Sequence, residues 1–262
     1  LDPILSVNDK ISCNSCHRLD NFGVDSQATS PGHEGKRGGR NSPTTFNAAL
    51  HIAQFWDGRA KDVEEQALGP ILNPIEMGMP SEAAVVDKLK KIDEYKNLFA
   101  DAFKGEKDPI QYKNVGKAIG AFERTLLTPS RFDDYLNGDE NALNENEKRG
   151  LKKFVHMGCA NCHNGVAMGG NMYKRLGMVE PYDTKDMGRF EITGLETDKK
   201  VFKVPSLRNI TKTAPYFHDG SVATLEKAIE EMAEHQLGFE PGPGFISDVK
   251  AFLGSLTSKG KE

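Results

Sequence analysis

The sequence predicts a mostly α-helical protein built from two similar halves. Three observations lead to this prediction: apolar residues recur at helical spacing in several segments, no segment alternates apolar and polar residues as a half-buried strand does, and a pattern in the first half recurs in the second. With 262 residues, the chain is long enough for two domains of ordinary size. We expect one domain over residues 1–135 and the other over residues 136–262, with the boundary in the turn-rich, acidic stretch "TPSRFDDYLNGDENALNENE".

Five segments are predicted to be helices, and four of them carry an apolar stripe with the spacing of a helix. Ser81 fits the N-cap of the first helix, and Asp108 followed by Pro109 fits the start of the second. The third runs from about Glu145 to Met157 and leads directly into the sequence "CANCH". The stripes of the other four are Val85, Leu89, Ile92 and Phe99; Val115, Ile119, Phe122 and Leu126; Leu225, Ala228, Ile229 and Met232; and Phe245, Val249, Phe252 and Leu256.

Composition and charge argue against two function classes, membrane-spanning proteins and nucleic-acid-binding proteins. Hydrophobic residues make up 37% of the chain and charged residues 27%, which is typical of a globular protein in water. No run of about 18 apolar residues occurs, so we expect no membrane span. The net charge of −4 and the absence of a basic stripe argue against binding to nucleic acid.

All four cysteines lie in two short motifs, "CNSCH" (Cys13, Cys16) and "CANCH" (Cys159, Cys162). C-x-x-C-H is the attachment signature of a c-type haem, in which both thiols bind the macrocycle and the next histidine ligates the iron. We therefore expect two covalent haems, with one axial ligand each from His17 and His163.

Other uses of four cysteines are a zinc site, a thioredoxin-like redox pair or two disulfides. A zinc ribbon separates its two pairs by far fewer residues, and neither zinc nor disulfide chemistry explains a histidine after both motifs. The haem interpretation is favoured on these grounds. Because covalent haem attachment in bacteria accompanies export, we expect a periplasmic protein.

An internal repeat supports two cytochrome c-like domains that arose by duplication. The segment "PTTFN…FWDG" starts at Pro43, and "PSLRN…FHDG" starts at Pro205. The second half carries 16 more residues between its haem histidine and this segment, and the sequence assigns them no role. Six residues are identical in ungapped alignment: Pro43, Asn47, Phe55, Asp57, Gly58 and Glu64 match Pro205, Asn209, Phe217, Asp219, Gly220 and Glu226.

The sixth iron position decides between an electron carrier and a catalyst. Met232 is the strongest candidate at the second haem, although a core methionine is the simpler explanation. Its counterpart in the first half is Pro70, which cannot ligate a metal, whereas Gln66 and Glu76 lie nearby and suit acid–base chemistry on a small ligand. The histidines outside the motifs are His33, His51, His156, His218 and His235, and a structural role is the default for each.

His33 lies in "SPGHEGKRGGRN", a segment too rich in glycine for a helix or a sheet. Glycines tolerate many backbone angles and so lower the cost of moving a segment between two conformations. The composition predicts a movable loop that carries an imidazole.

These motifs resemble those of the bacterial di-haem cytochrome c peroxidases, in the superfamily that includes the methylamine-dehydrogenase maturase. The similarity covers nearly the whole chain and is carried by "CNSCH", "GRNSPTTFNAALHIAQFWDGRAKDVEEQALGPILNPIEMG", "CANCH" and "FKVPSLRNITKTAPYFHDGSVATLEKAIEEM". The maturase carries tyrosine where this chain has Met232, so the resemblance favours the peroxidase.

The resemblance implies a role for each site residue. The first haem would be the low-potential, peroxide-binding one, with His33 as its removable ligand and with Gln66 and Glu76 lining the peroxide pocket. The second haem would be the high-potential, electron-accepting one, with Met232 as sixth ligand and Trp56 between the two haems. A calcium ion between the domains would be bound by Asn41 and the carbonyl groups of Thr213 and Pro215.

The resulting hypothesis is an oxidoreductase that reduces hydrogen peroxide to water. The electrons would come from a small cytochrome c or a cupredoxin, and the family suggests a homodimer. One alternative is a di-haem electron carrier without catalysis. The other is maturase-like oxidation of a partner protein through Trp56.

Overall fold

The structure, a computed structural model, describes residues 2–259 and is mostly helical. Ten α-helices and two short strands are joined by loops and single 3₁₀ turns within these residues. The helices are Cys13–Cys16 (α1), Val63–Leu72 (α2), Glu82–Leu89 (α3), Asp93–Ala102 (α4), Tyr112–Glu123 (α5), Arg131–Leu136 (α6), Glu145–His156 (α7), Phe190–Thr193 (α8), Leu225–Leu237 (α9) and Pro243–Gly254 (α10). The strands are Tyr173–Arg175 (β1) and Val201–Lys203 (β2).

The first hydrophobic core lies among α2, α3, α4 and α5. Ile71, Val85, Leu89 and Val115 are almost fully buried in it. Helices α2 and α5 pack closely because Gly116 leaves room: a Cβ atom there would lie 2.5 Å from the Glu64 carbonyl oxygen. The first half of the chain therefore has a core of its own.

The second core is centred on Phe252 of α10, which is completely buried. The ring centroids of Phe132 and Phe154 each lie 5.2 Å from that of Phe252. Helices α7 and α10 approach closely at Gly150, where a Cβ atom would lie 1.9 Å from the Asp248 carbonyl oxygen. Helix α6, which spans the predicted boundary at residue 135, packs through Phe132 in this second core.

The repeated sequence segments adopt the same backbone conformation. Asn47 and Asn209 have φ values of 62° and 61°, and Phe55 and Phe217 have φ values of 65° and 69°. Positive φ is uncommon for residues other than glycine, so two helical segments would not share these values by chance. Isolated antiparallel bridges also recur in the two segments, and they join Gln54 to Ala60 and Tyr216 to Val222.

A buried hydroxyl group joins the two repeated segments. The side-chain amides of Asn47 and Asn209 both donate to Thr128 Oγ1, at 2.7 and 2.9 Å. The Asn47 side-chain oxygen accepts in return from the Thr128 backbone N–H, and that of Asn209 accepts from the Ser258 backbone N–H. Both asparagines are almost completely buried, so each depends on these partners.

Most of the predicted helices are confirmed, with two corrections. Ser81 caps its helix, but the stripe from Val85 to Phe99 is divided between α3 and α4, because Ile92 adopts an extended backbone. The helix predicted to start at Asp108–Pro109 begins only at Tyr112, with Gln111 at the N-cap. The helix predicted before "CANCH" is present and is capped by Asn144, and the Leu225 and Phe245 stripes lie on α9 and α10.

The longer segment of the second half, between His163 and Pro205, contains β1 and β2. The two strands pair antiparallel, with Tyr173 opposite Lys203 and Arg175 opposite Val201. Strand β2 is fully buried. Among residues 2–259, no helix is long and apolar enough to cross a membrane.

The Thr128 junction generates a stability prediction. Thr128→Val removes the acceptor of two buried amides, and an unpaired buried donor costs about 1–3 kcal/mol, so the unfolding free energy should fall by roughly 3 kcal/mol. Chemical denaturation measures this change. Thr125→Val is the control, because the Thr125 hydroxyl donates to a carbonyl on the surface and its loss should change stability by less than about 0.5 kcal/mol. Equal losses in both variants would contradict this role for the junction.

Candidate haem sites

The second cysteine motif lies in a tight turn directly after α7. Gly158, with a φ of 94°, ends the helix, and Cys159–Asn161 form a 3₁₀ turn. The His163 Nδ1 atom lies 3.2 Å from the Pro205 carbonyl oxygen. When Nδ1 donates to a carbonyl, Nε2 is left as the free ligand atom. Burial lowers the pKa of His163 to about 4, so the ring is neutral, as metal ligation requires.

A large, mostly apolar cavity, called the second cavity after this second motif, opens beside it. Cys159, Cys162, His163 and Met232 all line it. Residues of the first half, among them His51 and Trp56, also contribute to its wall. The cavity therefore brings the two thiols, the imidazole and the predicted sixth ligand into one space.

The first cysteine motif forms the short helix α1. The His17 backbone N–H donates to the Cys13 carbonyl oxygen at 2.9 Å, which closes the turn. Burial lowers the pKa of His17, and the backbone of Gly23 and Pro43 partly offsets this effect. The His17 Nδ1 atom is buried without a hydrogen-bond partner of normal geometry. The first cavity, named after this first motif, lies beside Cys13 and His17 and is walled by apolar side chains of α3, α4 and α5 such as Leu89.

These arrangements fit one haem in each cavity. All four cysteines are unpaired, so their thiols are available for attachment. The two motifs line separate cavities, and residues 2–259 contain no cluster of three or more histidine, cysteine and acidic side chains that could hold a metal ion. The two cysteine pairs are therefore too far apart to form the shared zinc site that the sequence allowed as an alternative.

The two cavities differ in charge. Lys174 and Lys203 line the second cavity, and none of its described lining residues is Asp or Glu. Asp2 and Glu123 line the first, and none of its described lining residues is Lys or Arg. A nearby cation favours the reduced, less positive state of a haem and a nearby anion favours the oxidised state, so the two walls favour opposite redox states.

His33 and Glu76 are brought together on one side of the first motif. The His33 backbone N–H donates to the carbonyl oxygens of Ile75 and Glu76, at 2.9 and 2.8 Å. Gly32 allows this approach, since a Cβ atom there would lie 2.0 Å from the Ile75 carbonyl oxygen. The charge of Glu76 contributes to the raised pKa of Cys16, so Glu76 lies near this thiol. Neither His33 nor Glu76 lines the cavity beside Cys13.

The Glu76 carboxyl group has a raised pKa. Burial is the largest cause, and the charge of Arg59 and a hydrogen bond from Asn73 partly offset it. Such a group exchanges a proton more readily near neutral pH than an ordinary carboxylate does. Gln66 is half-buried on α2, and among residues 2–259 its side chain makes no hydrogen bond to Glu76 or His33.

The loop that carries His33 is held at its ends and exposed in its middle. Gly35, Gly38 and Gly39 have no neighbours within 4 Å of a built Cβ atom. At its far end, Arg40 forms ion pairs with Asp57, Asp186 and Glu191. Asp186 and Glu191 belong to the longer segment of the second half, for which the sequence indicated no role. This segment therefore anchors one end of the loop.

Trp56 and Asn41 lie where the two halves meet. The Trp56 indole N–H donates to the Asn41 carbonyl oxygen at 2.9 Å, and the Trp56 carbonyl oxygen accepts from the Lys203 backbone N–H at 2.7 Å. The Asn41 backbone N–H donates to the His218 carbonyl oxygen at 2.7 Å. Asn41, Thr213 and Pro215 all line the second cavity, so the three residues of the expected calcium site lie in the same region.

The remaining histidines make ordinary structural contacts. His218 is buried and stacks on Phe202, with its Nε2 atom 3.0 Å from Thr184 Oγ1. His156 is exposed at the end of α7, and His235 pairs with Glu231.

The structure adds two features that the sequence did not indicate. Glu123 of α5 is 8% exposed at the wall of the first cavity. Burial, helped by the charge of Glu64, raises the pKa of Glu123 to about 7. Lys203 is buried against His51 at the wall of the second cavity. No local pattern distinguishes these residues from solvated ones.

A helical chain with two cavities, one lined by Cys13 and His17 and the other by Cys159, Cys162 and His163, is typical of a haem protein. Residues 1–141 match the family described as di-haem cytochrome c peroxidase. The chain is 48% identical to the cytochrome c551 peroxidase of Nitrosomonas europaea, across 98% of this chain and 77% of the relative. It is 45% identical to the cytochrome c551 peroxidase of Pseudomonas aeruginosa, across 98% of this chain and 76% of the relative.

A solved structure is also similar, that of a MauG-like protein associated with microbial copper homeostasis. It superposes with a TM-score of 0.88 at 31% identity, and the match covers 98% of this chain and 87% of the other. The chain belongs to the di-haem cytochrome c peroxidase family, and it is an oxidoreductase of the peroxidase class.

Glu123 generates a pH prediction. Its folded-state pKa of about 7 exceeds the ordinary value near 4.3, so the folded state holds a proton that the unfolded state releases. The contribution of Glu123 to stability is complete at low pH and is lost as pH rises toward and through 7. Relative to Glu123→Gln, the wild-type unfolding free energy should therefore fall by up to about 3 kcal/mol between pH 4.5 and 8.

Denaturant unfolding at a series of pH values measures this difference. Glu240→Gln is the control, since Glu240 is exposed and its replacement should leave the pH profile unchanged. Parallel profiles for the wild type and Glu123→Gln would contradict the raised pKa.

Proposed function

We propose that this chain is a periplasmic peroxidase that reduces hydrogen peroxide to water with electrons from a small redox protein. The observation that carries the proposal is the asymmetry between its two cavities. The second cavity presents Met232 and lysines, whereas near the first motif, outside the described lining of its cavity, His33 and Glu76 lie together beside the thiol of Cys16. This difference favours a division of labour, in which one site accepts electrons and the other performs the reaction.

Each cavity holds one covalently attached haem in this proposal. Cys13 and Cys16 bind the first haem and Cys159 and Cys162 bind the second. The bound haems supply electron storage and the iron at which peroxide is reduced. His17 and His163 provide the proximal nitrogen atoms, and the hydrogen bond from His163 to Pro205 supports the role of its ring.

The two sites belong to two domains, residues 1–135 and 136–262, that descend from one duplicated unit. The matching φ values of the Asn47 and Asn209 segments support this origin. So do the two separate hydrophobic cores. Since each domain carries its own motif, differences between the two sites reflect the side chains around them.

Met232 would bind the iron of the second haem opposite His163, and His33 would be a ligand of the first iron that can leave. Helices α9 and α2 begin at matching positions, and Met232 of α9 corresponds to Pro70 of α2, which has no ligating group. The exposed glycine-rich middle of the His33 loop supports its movement when the second site is reduced. Departure of His33 would open the first site to peroxide.

Glu76 acts as the acid–base group. Its raised pKa allows it to accept a proton from hydrogen peroxide and to return that proton to the departing oxygen as water forms. Gln66, half-buried on the neighbouring helix, orients the peroxide. Trp56 couples the two sites, and its hydrogen bonds to both halves support this position.

A calcium ion stabilises the junction between the halves. Asn41 and the carbonyl oxygens of Thr213 and Pro215 supply oxygen ligands, the type that Ca²⁺ prefers. The Asn41 amide nitrogen is hydrogen-bonded to the carbonyl oxygens of Gln27 and Ala28, so its side-chain oxygen is left for the ion. The ion would fix the end of the loop that carries His33.

The remaining assignments follow from the chemistry and the family. The donor is a small cytochrome c or a cupredoxin, and the active form is a homodimer. Covalent haem attachment supports a periplasmic location. Oxidation of a partner protein is the second candidate, favoured by the likeness to a MauG-like protein, but Met232 favours peroxide reduction over it.

Glu76→Gln tests the catalytic assignment. The amide keeps the shape of the side chain but cannot carry the proton, so kcat/KM for hydrogen peroxide should fall by about 10²- to 10⁴-fold. Both haem absorption spectra should be retained. Steady-state peroxide reduction with a reduced small cytochrome c measures the loss.

Glu65→Gln is the matched control, because Glu65 is exposed on α2 and its replacement should leave turnover unchanged. Wild-type turnover in Glu76→Gln would contradict the acid–base role. Absence of peroxide reduction in the wild type itself would contradict the proposed function.

A further inference from the structure

The second cavity has cationic walls and no built-in counter-charge. Lys174 and Lys203 line it, and no described lining residue is an aspartate or a glutamate. The other wall residues are mostly apolar. Because a charge removed from water is costly unless it is paired, this wall indicates an occupant that carries negative charge.

Lys203 is the buried cation of this wall. It ends β2, is 8% exposed, and has its backbone N–H tied to the Trp56 carbonyl oxygen at 2.7 Å. Its ammonium nitrogen lies 3.2 Å from His51 Nδ1 and forms no ion pair with a carboxylate of residues 2–259. An ammonium group has three donors, so two remain for a ligand.

His51 completes the donor set. Burial, with the nearby charge of Lys203, lowers the pKa of His51 to about 3, so the ring is neutral and Nδ1 accepts from the lysine. The proton is then on Nε2, which is buried without a hydrogen-bond partner. Gly170 leaves room for the ring, since a Cβ atom there would lie 2.3 Å from the His51 Cδ2 atom.

Burial also lowers the pKa of Lys203 to about 8, because the cavity wall disfavours the charged form. A carboxylate next to the ammonium group would reverse this effect. Lys203 and His51 together offer two kinds of unused hydrogen-bond donor: the remaining N–H groups of the ammonium group, which is positively charged, and the His51 Nε2–H group.

We propose that Lys203 and His51 bind one propionate carboxylate of the haem held by Cys159 and Cys162. This inference rests on the haem attachment in the proposed function. It adds that two side chains of the cavity wall bind the edge of the haem that carries the propionates. The same cavity contains both thiols, His163 and the two lysines, whereas the described lining of the first cavity contains no lysine or arginine. Because only the second cavity has lysines in its described lining, we place this propionate-binding pair at the second haem.

The propionate-binding pair has a redox consequence. The positive charge of Lys203 offsets the negative charge of the carboxylate, which keeps the second haem easier to reduce. Trp56, joined to the Lys203 backbone, lies beside the same edge of the cavity. Lys203 is thus a positioning residue that tunes the electron-accepting haem.

Lys203→Met tests the inference through the reduction potentials of both haems, measured by spectroelectrochemical titration. Loss of the cation should lower the equilibrium constant for reduction of the second haem at least tenfold, which is about 59 mV for a one-electron couple. The potential of the first haem should stay at its wild-type value. Lys203→Arg keeps the charge and should restore the potential of the second haem.

Lys199→Met is the matched control, because Lys199 is in the same segment but pairs with Glu196 on the surface. It should leave both potentials unchanged. If Lys203→Met attaches too little haem to titrate, His51→Leu, which removes the second donor and keeps the cation, should shift the second potential in the same direction by a smaller amount.

Two results would overturn the inference. One is an unchanged second potential in a Lys203→Met protein with full haem content. The other is a shift confined to the first haem. A wild-type protein whose pyridine haemochrome spectrum shows no covalent haem would instead contradict the proposed function on which the inference rests.

Discussion

The buried hydroxyl group of Thr128 is the contact on which the arrangement of both halves depends. It accepts hydrogen bonds from Asn47 and Asn209, and both asparagines hold the same left-handed backbone conformation. Each asparagine lies four residues after the proline that starts its repeated segment. Pro205 supplies the carbonyl group that orients His163, so the junction and the histidine ring are linked through one short segment.

Because the two repeated segments share one backbone conformation, differences between the two sites come from their side chains. Each cavity is lined by an imidazole and by at least one thiol of its motif. The wall of the second cavity carries lysines, whereas that of the first carries Asp2 and Glu123. In the proposed function, these opposite wall charges would shift the potentials of two otherwise similar haems in opposite directions, and Met232 as a ligand would raise the potential of the second further. The proposed direction of electron flow, from the second haem to the first, follows from these two effects.

Local patterns allowed much of the fold to be predicted, because caps and apolar stripes act over a few residues. Ser81 and the segment before "CANCH" are examples, whereas the break at Ile92 and the late start at Tyr112 depend on packing that the stripe does not encode. The family resemblance singled out His33 and Glu76, which the structure brings together. The pairs of Arg40 with Asp186 and of His51 with Lys203 join residues more than 140 positions apart, so no local pattern could predict them.

The central claim is that the first site opens only when the second is reduced. The most direct measurement is the absorption spectrum of the wild-type protein when fully oxidised, when half-reduced, and when half-reduced with added hydrogen peroxide. The account predicts that a high-spin ferric haem appears only on half-reduction, as His33 leaves, and that peroxide then changes this signal. Two haems that stay six-coordinate and low-spin throughout, with no response to peroxide, would contradict it and indicate an electron carrier.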